Sequence, residues 1–590
     1  MCGILGEIEI NKRINAALFN NMLNTLNHRG PDDSGIFINE KGTIALGHRR
    51  LSFLDLSGAG KQPLCNANKT IWITFNGEIY NYLELKKELE NHYSFKTKTD
   101  TEVLLAAYET WGIDFITRLK GMFAFGLYDE PKNKLYLIRD RFGIKPLYYF
   151  KQNDTLIFGS EIKAIIASGK VAKEIDFTSF ADYFVYRYIP SPKTIWQNVF
   201  KVKPAHYLEI NTHTLNIKER EYWQLNSYSN KIDDKDLIKE IGEILSQSVK
   251  EHTRADVEIG SFLSGGYDSS ALVYYMKDLG QNPKTFSIGF ANWEKSEDQF
   301  AKIVAQYLRV ENESIVVNEK SLEYVNIMPD VYDEPIADIS IVPTYMVSHL
   351  ARTKVKAVLS GEGADELFGG YTWQQEFMQK QQKLNWIKQL FKRPNPKDTV
   401  AFYAQAMAMG WFDGPELKRM LNPRLHQFIN EDVHWFYKQH YKPNLSPLKS
   451  IQYLDMKCFM GELVLTKIDR ASMANSLEVR VPFLNHQLFE KVFSVSESCY
   501  YSPTQTKYLL FQNIKNALPE PILARKKQGF VGPDSYYMNI NFYKKELTNS
   551  LLVQHEIINP EYIDELLNET YNWKLWKILI MEKWFKRWIE

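Results

Sequence analysis

The sequence predicts an α+β amino-terminal domain followed by an α/β domain that has a doubly wound parallel sheet and extra carboxy-terminal helices. In the first 210 residues, apolar runs of strand length occur in pairs with few helical patterns between them, which is typical of antiparallel sheets. Beyond residue 233, such runs alternate with helical patterns, which is typical of a parallel sheet. From residue 374 onward the pattern is mostly helical.

The elements of the first domain follow from residue type and periodicity. The expected strands are rich in β-branched and aromatic residues and cover 71–75, 123–128, 135–138, 147–150 and 155–158. Helical spacing of apolar residues predicts helices at 17–26, 82–90 and 101–111. The polar stretch 206–234 carries few apolar runs and predicts a linker. We therefore expect domains at 2–210 and 233–590.

The second domain has the pattern of repeated strand–loop–helix units. Strands are expected at 257–263, 284–290 and 355–359, with helices at 268–279 and 298–307 between them. The final stretch, 573–588, is rich in Trp and Lys. We interpret it as an amphipathic packing helix in preference to a binding surface.

Composition excludes several classes of protein. The chain has 590 residues, of which 44% are hydrophobic and 24% charged, so wholesale disorder and a collagen-like fibre are excluded. Lys plus Arg is 72 and Asp plus Glu is 71. This balance disfavours nucleic acid or an anionic membrane as a partner. Four scattered cysteines and the lack of a signal-peptide pattern or a membrane-length apolar run predict a cytoplasmic protein.

Cys2 is the first candidate catalytic residue. Its side chain is small, so we expect removal of Met1, which leaves a free α-amine on Cys2. Such an amine titrates at roughly 7.7–8.0 and can accept the thiol proton at working pH. On its own, however, a cysteine after the start codon is more often a chance occurrence.

Further motifs change that assessment. In chain order they are Cys2-Gly3-Ile4-Leu5-Gly6, His28-Arg29-Gly30-Pro31-Asp32, Arg50-Leu51-Ser52, Asn76-Gly77-Glu78, Asp100-Thr101-Glu102 and Arg139-Asp140-Arg141-Phe142-Gly143. In this order they resemble the class II glutamine amidotransferases, whose fold is that of the N-terminal-nucleophile hydrolases. The resemblance covers about residues 2–210 and implies that Cys2 attacks the side-chain amide of glutamine.

The resemblance also implies an oxyanion hole and a glutamine site. The side-chain amide of Asn76 and the backbone N–H of Gly77 would form the oxyanion hole, on a turn just after the strand 71–75. Arg50 can bind the α-carboxylate of glutamine with its guanidinium fork, and Asp100 and Glu78 can receive its α-ammonium. A surface ion pair and a helix N-cap are the respective alternatives for Arg50 and Asp100. The implied glutamine-binding set is Arg50, Leu51, Asn76, Gly77, Glu78 and Asp100.

A glycine-containing loop in the second domain points to phosphate binding. Ser264-Gly265-Gly266-Tyr267-Asp268-Ser269-Ser270 lies between a predicted strand and a predicted helix. Glycines let backbone N–H groups approach an anion, and the helix N-terminus adds positive potential. The loop lacks the Lys and the spacing of a Walker A motif. It resembles the pyrophosphate loop of enzymes that cleave ATP between its α and β phosphates, in which the position of Tyr267 is usually aliphatic.

A second loop supplies carboxylates. Ser360-Gly361-Glu362-Gly363-Ala364-Asp365-Glu366 follows the predicted buried strand 355–359, at a strand end where ligands bind in such sheets. A solvated turn is the alternative interpretation, while oxygen ligands with phosphates suit Mg²⁺. The resemblance implies that Asp268 and Asp365 bind Mg²⁺–pyrophosphate and that Glu362 and Lys527, or its neighbour Lys526, serve adenylation. The implied ATP-binding residues are Ser264, Gly265, Gly266, Asp268, Ser269, Ile288, Ser360 and Gly361.

Together the two halves resemble the glutamine-hydrolysing asparagine synthetase family over nearly the whole chain. The resemblance implies that the β-carboxylate of aspartate attacks ATP, giving β-aspartyl-AMP and pyrophosphate. Ammonia released from glutamine would cross an internal channel and displace AMP. A homodimer is implied as well.

Three other interpretations compete with this one. The same chemistry on a uronic acid of a surface polysaccharide gains modest support from Tyr267 and from Asn485, where the family usually has Asp. A catalytically silent partner protein and a glutaminase without synthetase activity are disfavoured. The first would leave Cys2 and both phosphate loops unexplained. The second would leave four residues without a role: Asp268, Glu362, Asp365 and Lys527.

Overall fold

The computed structural model describes residues 2–388, 396–525, 528–529, 532–569 and 572–590, without the side chains of 382–388 and 396–398. The strands of the first half are β1 (Gly3–Glu9), β2 (Asp33–Ile38), β3 (Ile44–Arg50), β4 (Leu64–Cys65), β5 (Ile71–Ile79), β6 (Gly121–Asp129), β7 (Lys134–Arg139), β8 (Tyr148–Gln152), β9 (Thr155–Gly159), β10 (Val199–Lys201), β11 (His206–Asn211) and β12 (Ile217–Glu221). Its helices are α1 (Ala16–Asn24), α2 (Tyr82–Leu89), α3 (Asp100–Trp111), α4 (Ile162–Ile166) and α5 (Phe177–Tyr186).

These strands form two six-stranded antiparallel sheets, in the orders β10-β8-β9-β1-β3-β2 and β12-β11-β7-β6-β5-β4. Apolar side chains from both sheets, such as Ile4 and Leu137, make one core between them. Helices α2 and α3 pack on the second sheet through residues such as Val103 and Phe75. Helices α1 and α4 pack against the first sheet. This helix–sheet–sheet–helix layering confirms the α+β prediction of an N-terminal-nucleophile hydrolase fold.

Two local predictions for this half are wrong. Strand β5 continues to Ile79 and pairs with β6 throughout, so Asn76 and Gly77 lie within a strand and not on a turn after it. A Cβ on Gly77 would lie 2.1 Å from the carbonyl oxygen of Met122. A glycine is therefore needed here because the two strands approach too closely for any side chain. The predicted linker also fails over 206–221, because β11 and β12 form a hairpin that extends the second sheet past residue 210.

The second half contains a parallel sheet, as predicted. Its strands are β13 (Ile259–Phe262), β14 (Thr285–Phe290), β15 (Asn312–Val317), β16 (Ala357–Leu359) and β17 (Glu478–Arg480). They pair in the order β15-β14-β13-β16-β17, and every pairing is parallel. Strands β15 and β17 lie in stretches to which the sequence assigned no strand.

Helices make up most of the remaining chain. They are α6 (Asp234–His252), α7 (Tyr267–Asp278), α8 (Glu297–Leu308), α9 (Met328–Tyr332), α10 (Ile341–Arg352), α11 (Ala364–Phe368), α12 (Thr372–Lys388), α13 (Pro396–Met407), α14 (Gly414–Met420), α15 (Trp435–His440), α16 (Pro447–Leu454), α17 (Leu465–Met473), α18 (His486–Ser494), α19 (Tyr508–Ile514), α20 (Glu520–Leu523), α21 (Asp534–Tyr537), α22 (Ile540–Leu547), α23 (Leu551–Gln554), α24 (Pro560–Asn568) and α25 (Lys574–Trp588). A π-helical segment, Asp455–Val464, leads directly into α17. Within the described ranges, no helix combines the length and the apolar character needed to cross a membrane.

The two halves share one continuous hydrophobic core. Helix α25 is almost entirely buried, and its Trp584 packs against Trp196 of the first half with ring centroids 5.2 Å apart. The hydroxyl of Tyr183 donates to the carbonyl oxygen of Lys577 at 2.9 Å. The prediction that the Trp-rich tail is a packing helix is therefore confirmed.

Candidate active site

Cys2 immediately precedes β1 of the first sheet and contacts β5 of the second sheet. Its side chain is buried, and its backbone N–H donates to Asn76 Oδ1 at 2.9 Å. Burial raises the pKa of the Cys2 thiol, so the thiol needs a nearby base to become a nucleophile. The structure thus brings together the predicted nucleophile and the predicted oxyanion-hole residue, which are 74 positions apart in the chain.

Asn76 offers an unused hydrogen-bond donor beside Cys2. Its Oδ1 is engaged by Cys2, but its buried Nδ2 has no hydrogen-bond partner among the described residues. An unsatisfied buried donor costs about 1–3 kcal/mol, and binding of a developing oxyanion removes that cost. Behind Asn76, the buried His48 ring holds the strand through a 3.0 Å contact between its Nε2 and the Phe75 carbonyl oxygen. The amide is therefore prepositioned for the role that the sequence assigned to it.

Two buried carboxylates flank this strand. Asp100 accepts the backbone N–H of Ile79 at 3.0 Å, and burial raises the pKa of its carboxyl to about 6. The cap of α3 is Thr99, whose hydroxyl accepts the Glu102 N–H, so the N-cap alternative for Asp100 is wrong. Glu78 pairs with Arg480 of β17 at 3.1 Å, which ties the glutamine site to the second half.

The guanidinium of Arg50 already has hydrogen-bond partners within the protein. It donates to the carbonyl oxygens of Ser57, Leu54 and Asp55 at 3.0, 3.1 and 2.6 Å. The arginine thus holds the loop that follows the buried Leu51. Its binding of the glutamine carboxylate stays a prediction.

A cavity of about 350 Å³ lies at the carboxyl ends of β13, β14 and β16. Eight residues predicted for the adenylation site line it: Ser264, Asp268, Ser269, Ile288, Ser360, Gly361, Glu362 and Asp365. Gly265 and Gly266 line an adjoining pocket together with Asp268. Both phosphate loops therefore converge on one site, although 89 residues separate them in the chain. Lys526 and Lys527 fall outside the described residues, so the choice between them stays open.

Lys507 is the functional candidate that the sequence did not identify. Its Nζ lies 2.5 Å from Asp268 Oδ2 and 2.7 Å from Asp365 Oδ1, and the side chain is only 3% exposed. The lysine precedes α19 in a segment without a recognisable motif, so only the tertiary contacts could reveal it. Two carboxylates that converge on one cation also fit Mg²⁺, because phosphate oxygens and water supply its other ligands. The described residues contain no cluster of three or more metal-binding side chains.

In the carboxylate loop Glu366 is buried and Glu362 is half-buried. Glu362 Oε2 has no hydrogen-bond partner among the described residues, and burial raises the pKa of its carboxyl. Burial likewise raises the pKa of Glu366 to about 7, and Glu366 accepts the Tyr371 hydroxyl at 2.7 Å. The cavity therefore mixes permanent charges with carboxyls that are easily protonated.

A buried charge network links the two sites. Arg29 Nε donates to the Cys2 carbonyl oxygen at 3.0 Å, while its Nη1 contacts Glu161 at 2.8 Å and Asp469 at 2.9 Å. Asp469 lies on α17, the helix whose residues Lys467 and Ile468 line the cavity. A chain of buried hydrogen bonds and ion pairs thus joins Cys2 to the wall of the second site.

Comparison with known proteins gives matches to both halves. A family model described as a glutamine amidotransferase domain matches residues 1–223, and one described as asparagine synthase matches residues 240–586. The asparagine synthetase [glutamine-hydrolyzing] 1 of Bacillus subtilis (strain 168) is 34% identical over 99% of this chain and 96% of its own length. A putative asparagine synthetase [glutamine-hydrolyzing] 2 of Methanocaldococcus jannaschii is 40% identical over 63% of this chain and 76% of its own length.

Among solved structures, a glutamine phosphoribosylpyrophosphate amidotransferase from B. subtilis aligns with 54% of this chain and 81% of that chain. The TM-score is 0.31 and the identity 17%. This likeness is too low to carry an argument.

Proposed function

Because the chain belongs to the glutamine-hydrolysing asparagine synthetase family, we propose that it converts aspartate to asparagine with ATP and with ammonia taken from glutamine. The observation that carries this proposal is the convergence of both phosphate loops on one cavity, in a chain that also buries Cys2 beside an unused amide donor. Each site has the groups for one half of the reaction. The products are asparagine, AMP, pyrophosphate and glutamate.

The first half-reaction takes place at Cys2. Once Met1 is removed, the nitrogen that now donates to Asn76 Oδ1 is the α-amine of Cys2. That amine takes the thiol proton, and the thiolate attacks the side-chain carbonyl carbon of glutamine. Asn76 Nδ2 donates to the oxygen on which negative charge develops. Ammonia leaves, and water hydrolyses the γ-glutamyl thioester to release glutamate.

The second half-reaction takes place in the 350 Å³ cavity. The β-carboxylate of aspartate attacks the α-phosphorus of ATP, pyrophosphate leaves, and β-aspartyl-AMP forms, because AMP is a far better leaving group than oxide. Lys507 carries a buried positive charge next to the phosphate loop and can stabilise the negative charge that builds up on the phosphates. Ammonia then attacks the acyl carbon, and AMP leaves.

Asp268 and Asp365 are the residues that would hold Mg²⁺. Bound Mg²⁺ would neutralise charge on the phosphate oxygens of ATP and pyrophosphate. Lys507, which the two carboxylates now share, would stay close enough to donate to the same phosphates. The cytoplasmic location, the homodimer and the internal ammonia channel stay predictions.

The two departures from the family pattern do not favour a uronic acid. Tyr267 points away from the 350 Å³ cavity, because its hydroxyl donates to the Leu523 carbonyl oxygen at 2.5 Å. Asn485 caps α18 by accepting the Gln487 N–H at 2.9 Å, a role that Asp fills equally well. Neither residue lines the cavity, so neither alters the acceptor site.

The test is acceptor-dependent exchange of labelled pyrophosphate into ATP by the purified full chain with Mg²⁺. We expect exchange with aspartate and none with glucuronate or galacturonate. Exchange with a uronic acid alone would replace the proposed acceptor, and no exchange with any acceptor would contradict the adenylation step. Asparagine formation from glutamine, aspartate and ATP is then measured directly, which shows whether the two half-reactions are coupled.

A further inference from the structure

Arg187 reaches the synthetase cavity from the amidotransferase half. It follows α5 directly and ends that helix with a left-handed backbone, at φ 72° and ψ 1°. Such a conformation costs a non-glycine residue on the order of 1 kcal/mol. The carbonyl oxygen of Arg187 accepts the N–H of Ala337 at 2.9 Å, next to Asp338, and its side chain lines the same cavity as Glu362. An arginine is thus held in a disfavoured conformation at the wall of the other domain's cavity.

The Arg187 guanidinium has no direct partner among the residues that the structure describes, unlike Lys467 in the same cavity and Lys507 and Arg525 in the adjoining pocket. Lys467 pairs with Asp338 at 3.6 Å, Lys507 with two carboxylates, and Arg525 with Glu297 at 3.3 Å. Within the described ranges, the Arg187 guanidinium makes no ion pair within 4.0 Å and no hydrogen bond.

The charge of Arg187 helps to lower the pKa of Asp338, but that carboxylate is already paired with Lys467. The Arg187 Nε is buried without a hydrogen-bond partner among the described residues, and its Cζ lies 5.9 Å from the centre of the Phe459 ring. A buried donor of a charged group without a partner is costly. The fold tolerates that cost at a position that faces a ligand cavity, so the missing partner is expected to be an anion of the ligand.

We propose that Arg187 binds the carboxylate of the acceptor that does not react, which in aspartate is the α-carboxylate. This inference rests on the proposed function, since it takes aspartate as the acceptor. A guanidinium fork matches a carboxylate with two parallel hydrogen bonds. A uronic acid has one carboxylate, and that group is consumed by adenylation, so it would leave Arg187 unpaired. Arg187 therefore makes the cavity selective for dicarboxylate acceptors.

The test compares two acceptors in two enzymes by pyrophosphate exchange. The acceptors are aspartate and its 1-amide, isoasparagine, in which the α-carboxylate is replaced by a neutral amide. For the unaltered enzyme we expect a KM for isoasparagine roughly 10- to 100-fold higher, the range for a lost charge-assisted hydrogen bond. Arg187→Gln should raise the KM for aspartate by a similar factor and remove most of the preference for aspartate over isoasparagine.

Three further variants separate binding from folding. Arg187→Lys should restore part of the aspartate affinity because it keeps the charge. Arg187→Gly removes the side chain but favours the left-handed backbone, so it should lose aspartate affinity without loss of thermal stability. Arg309 also ends a helix, α8, in a left-handed conformation, but it is exposed and does not line the cavity. Arg309→Gly should leave both KM values unchanged.

The outcomes distinguish this inference from the function on which it rests. If the unaltered enzyme exchanges with neither acceptor, aspartate is not the substrate and both proposals fail. If it uses aspartate but Arg187→Gln lowers kcat/KM equally for aspartate and isoasparagine, the arginine is structural and only the inference fails. A wild-type aspartate KM in Arg187→Gly would overturn the inference as well.

Discussion

The glutaminase site and the synthetase site of this chain are built in opposite ways. The first is a closed arrangement in which Cys2, Asn76 and Asp100 are all buried and come from three elements of one domain. The second is an open cavity of about 350 Å³. Its wall combines the ends of three strands with Lys467 of α17 and with Arg187, which the other domain contributes.

This difference reflects the groups that each reaction requires. Amide hydrolysis at a thiol needs one well-placed donor and one base, so a few residues fixed by paired strands suffice. Adenylation must hold two anionic substrates together, so the cavity needs several cations, and it obtains them from distant segments. The two sites should therefore respond separately to substitution, although Arg29 and Asp469 connect them.

The largest effect is expected for Cys2→Ala. Loss of the nucleophile should reduce glutamine-dependent asparagine formation by on the order of 10³-fold or more, while formation from ammonium chloride stays near normal. Both rates are measured on the same preparation. Cys65→Ala, at a free cysteine elsewhere in the fold, should leave both unchanged. Equal loss of the two activities in Cys2→Ala would contradict the separation of the sites.

Lys507→Ala tests the synthetase site. Removal of the cation between Asp268 and Asp365 should slow aspartate-dependent pyrophosphate exchange by roughly 10²- to 10³-fold, as for other groups that stabilise transition-state charge. Glutamine hydrolysis at Cys2 should continue. Lys515→Ala, an exposed lysine just after the same helix, serves as the control, and Lys507→Arg tests whether charge alone is enough.

Lys527→Ala is measured in the same pyrophosphate-exchange assay as Lys507→Ala. We expect it to suppress exchange as well, and Lys526→Ala to do much less, because the family resemblance assigns the counter-charge to Lys527. Full exchange in Lys507→Ala together with its loss in Lys527→Ala would identify Lys527 as the main counter-charge. The reverse result would leave Lys507 alone in that role.

Asp100 should give glutamine use an inflection near pH 6 that ammonia use lacks. Its carboxyl has a pKa raised to about 6 by burial, so the charged form that we expect to bind the glutamine ammonium is present above pH 6 and is lost below it. The kcat/KM for glutamine should then fall about tenfold per pH unit below that value. Asp100→Asn should have a higher glutamine KM and a profile without this inflection. An unchanged inflection in the variant would assign it to another group.

The smallest effect is expected for Tyr267→Phe. The lost hydrogen bond to Leu523 is worth about 1 kcal/mol, so the ATP KM should rise about fivefold as the phosphate loop loses its tie to α20. The aspartate KM should not change, because Tyr267 does not line the cavity. Tyr274→Phe on the same helix is the control, since its hydroxyl makes no hydrogen bond among the described residues. A changed aspartate KM in Tyr267→Phe would place this residue closer to the acceptor.

Much of this protein follows from the sequence by itself. Apolar periodicity distinguishes the antiparallel half from the parallel half, because each kind of sheet imposes its own repeat on the chain. The loops around Gly265 and Glu362 could be predicted to bind phosphate, because their residues stand next to each other in the chain and follow predicted strands. Local patterns of this kind need no knowledge of the rest of the fold.

Contacts between distant segments were decided only by the tertiary structure. The position of Asn76 inside β5 depends on pairing with β6, since a polar residue and a glycine read locally as a turn. The hairpin β11–β12 looked like a linker because β12 is polar and mostly exposed, so only its pairing with β11 reveals it as a strand. Lys507 and Arg187 carry no motif at all. Their importance comes from which charges surround them, and charge pairing acts across space without regard to order along the chain.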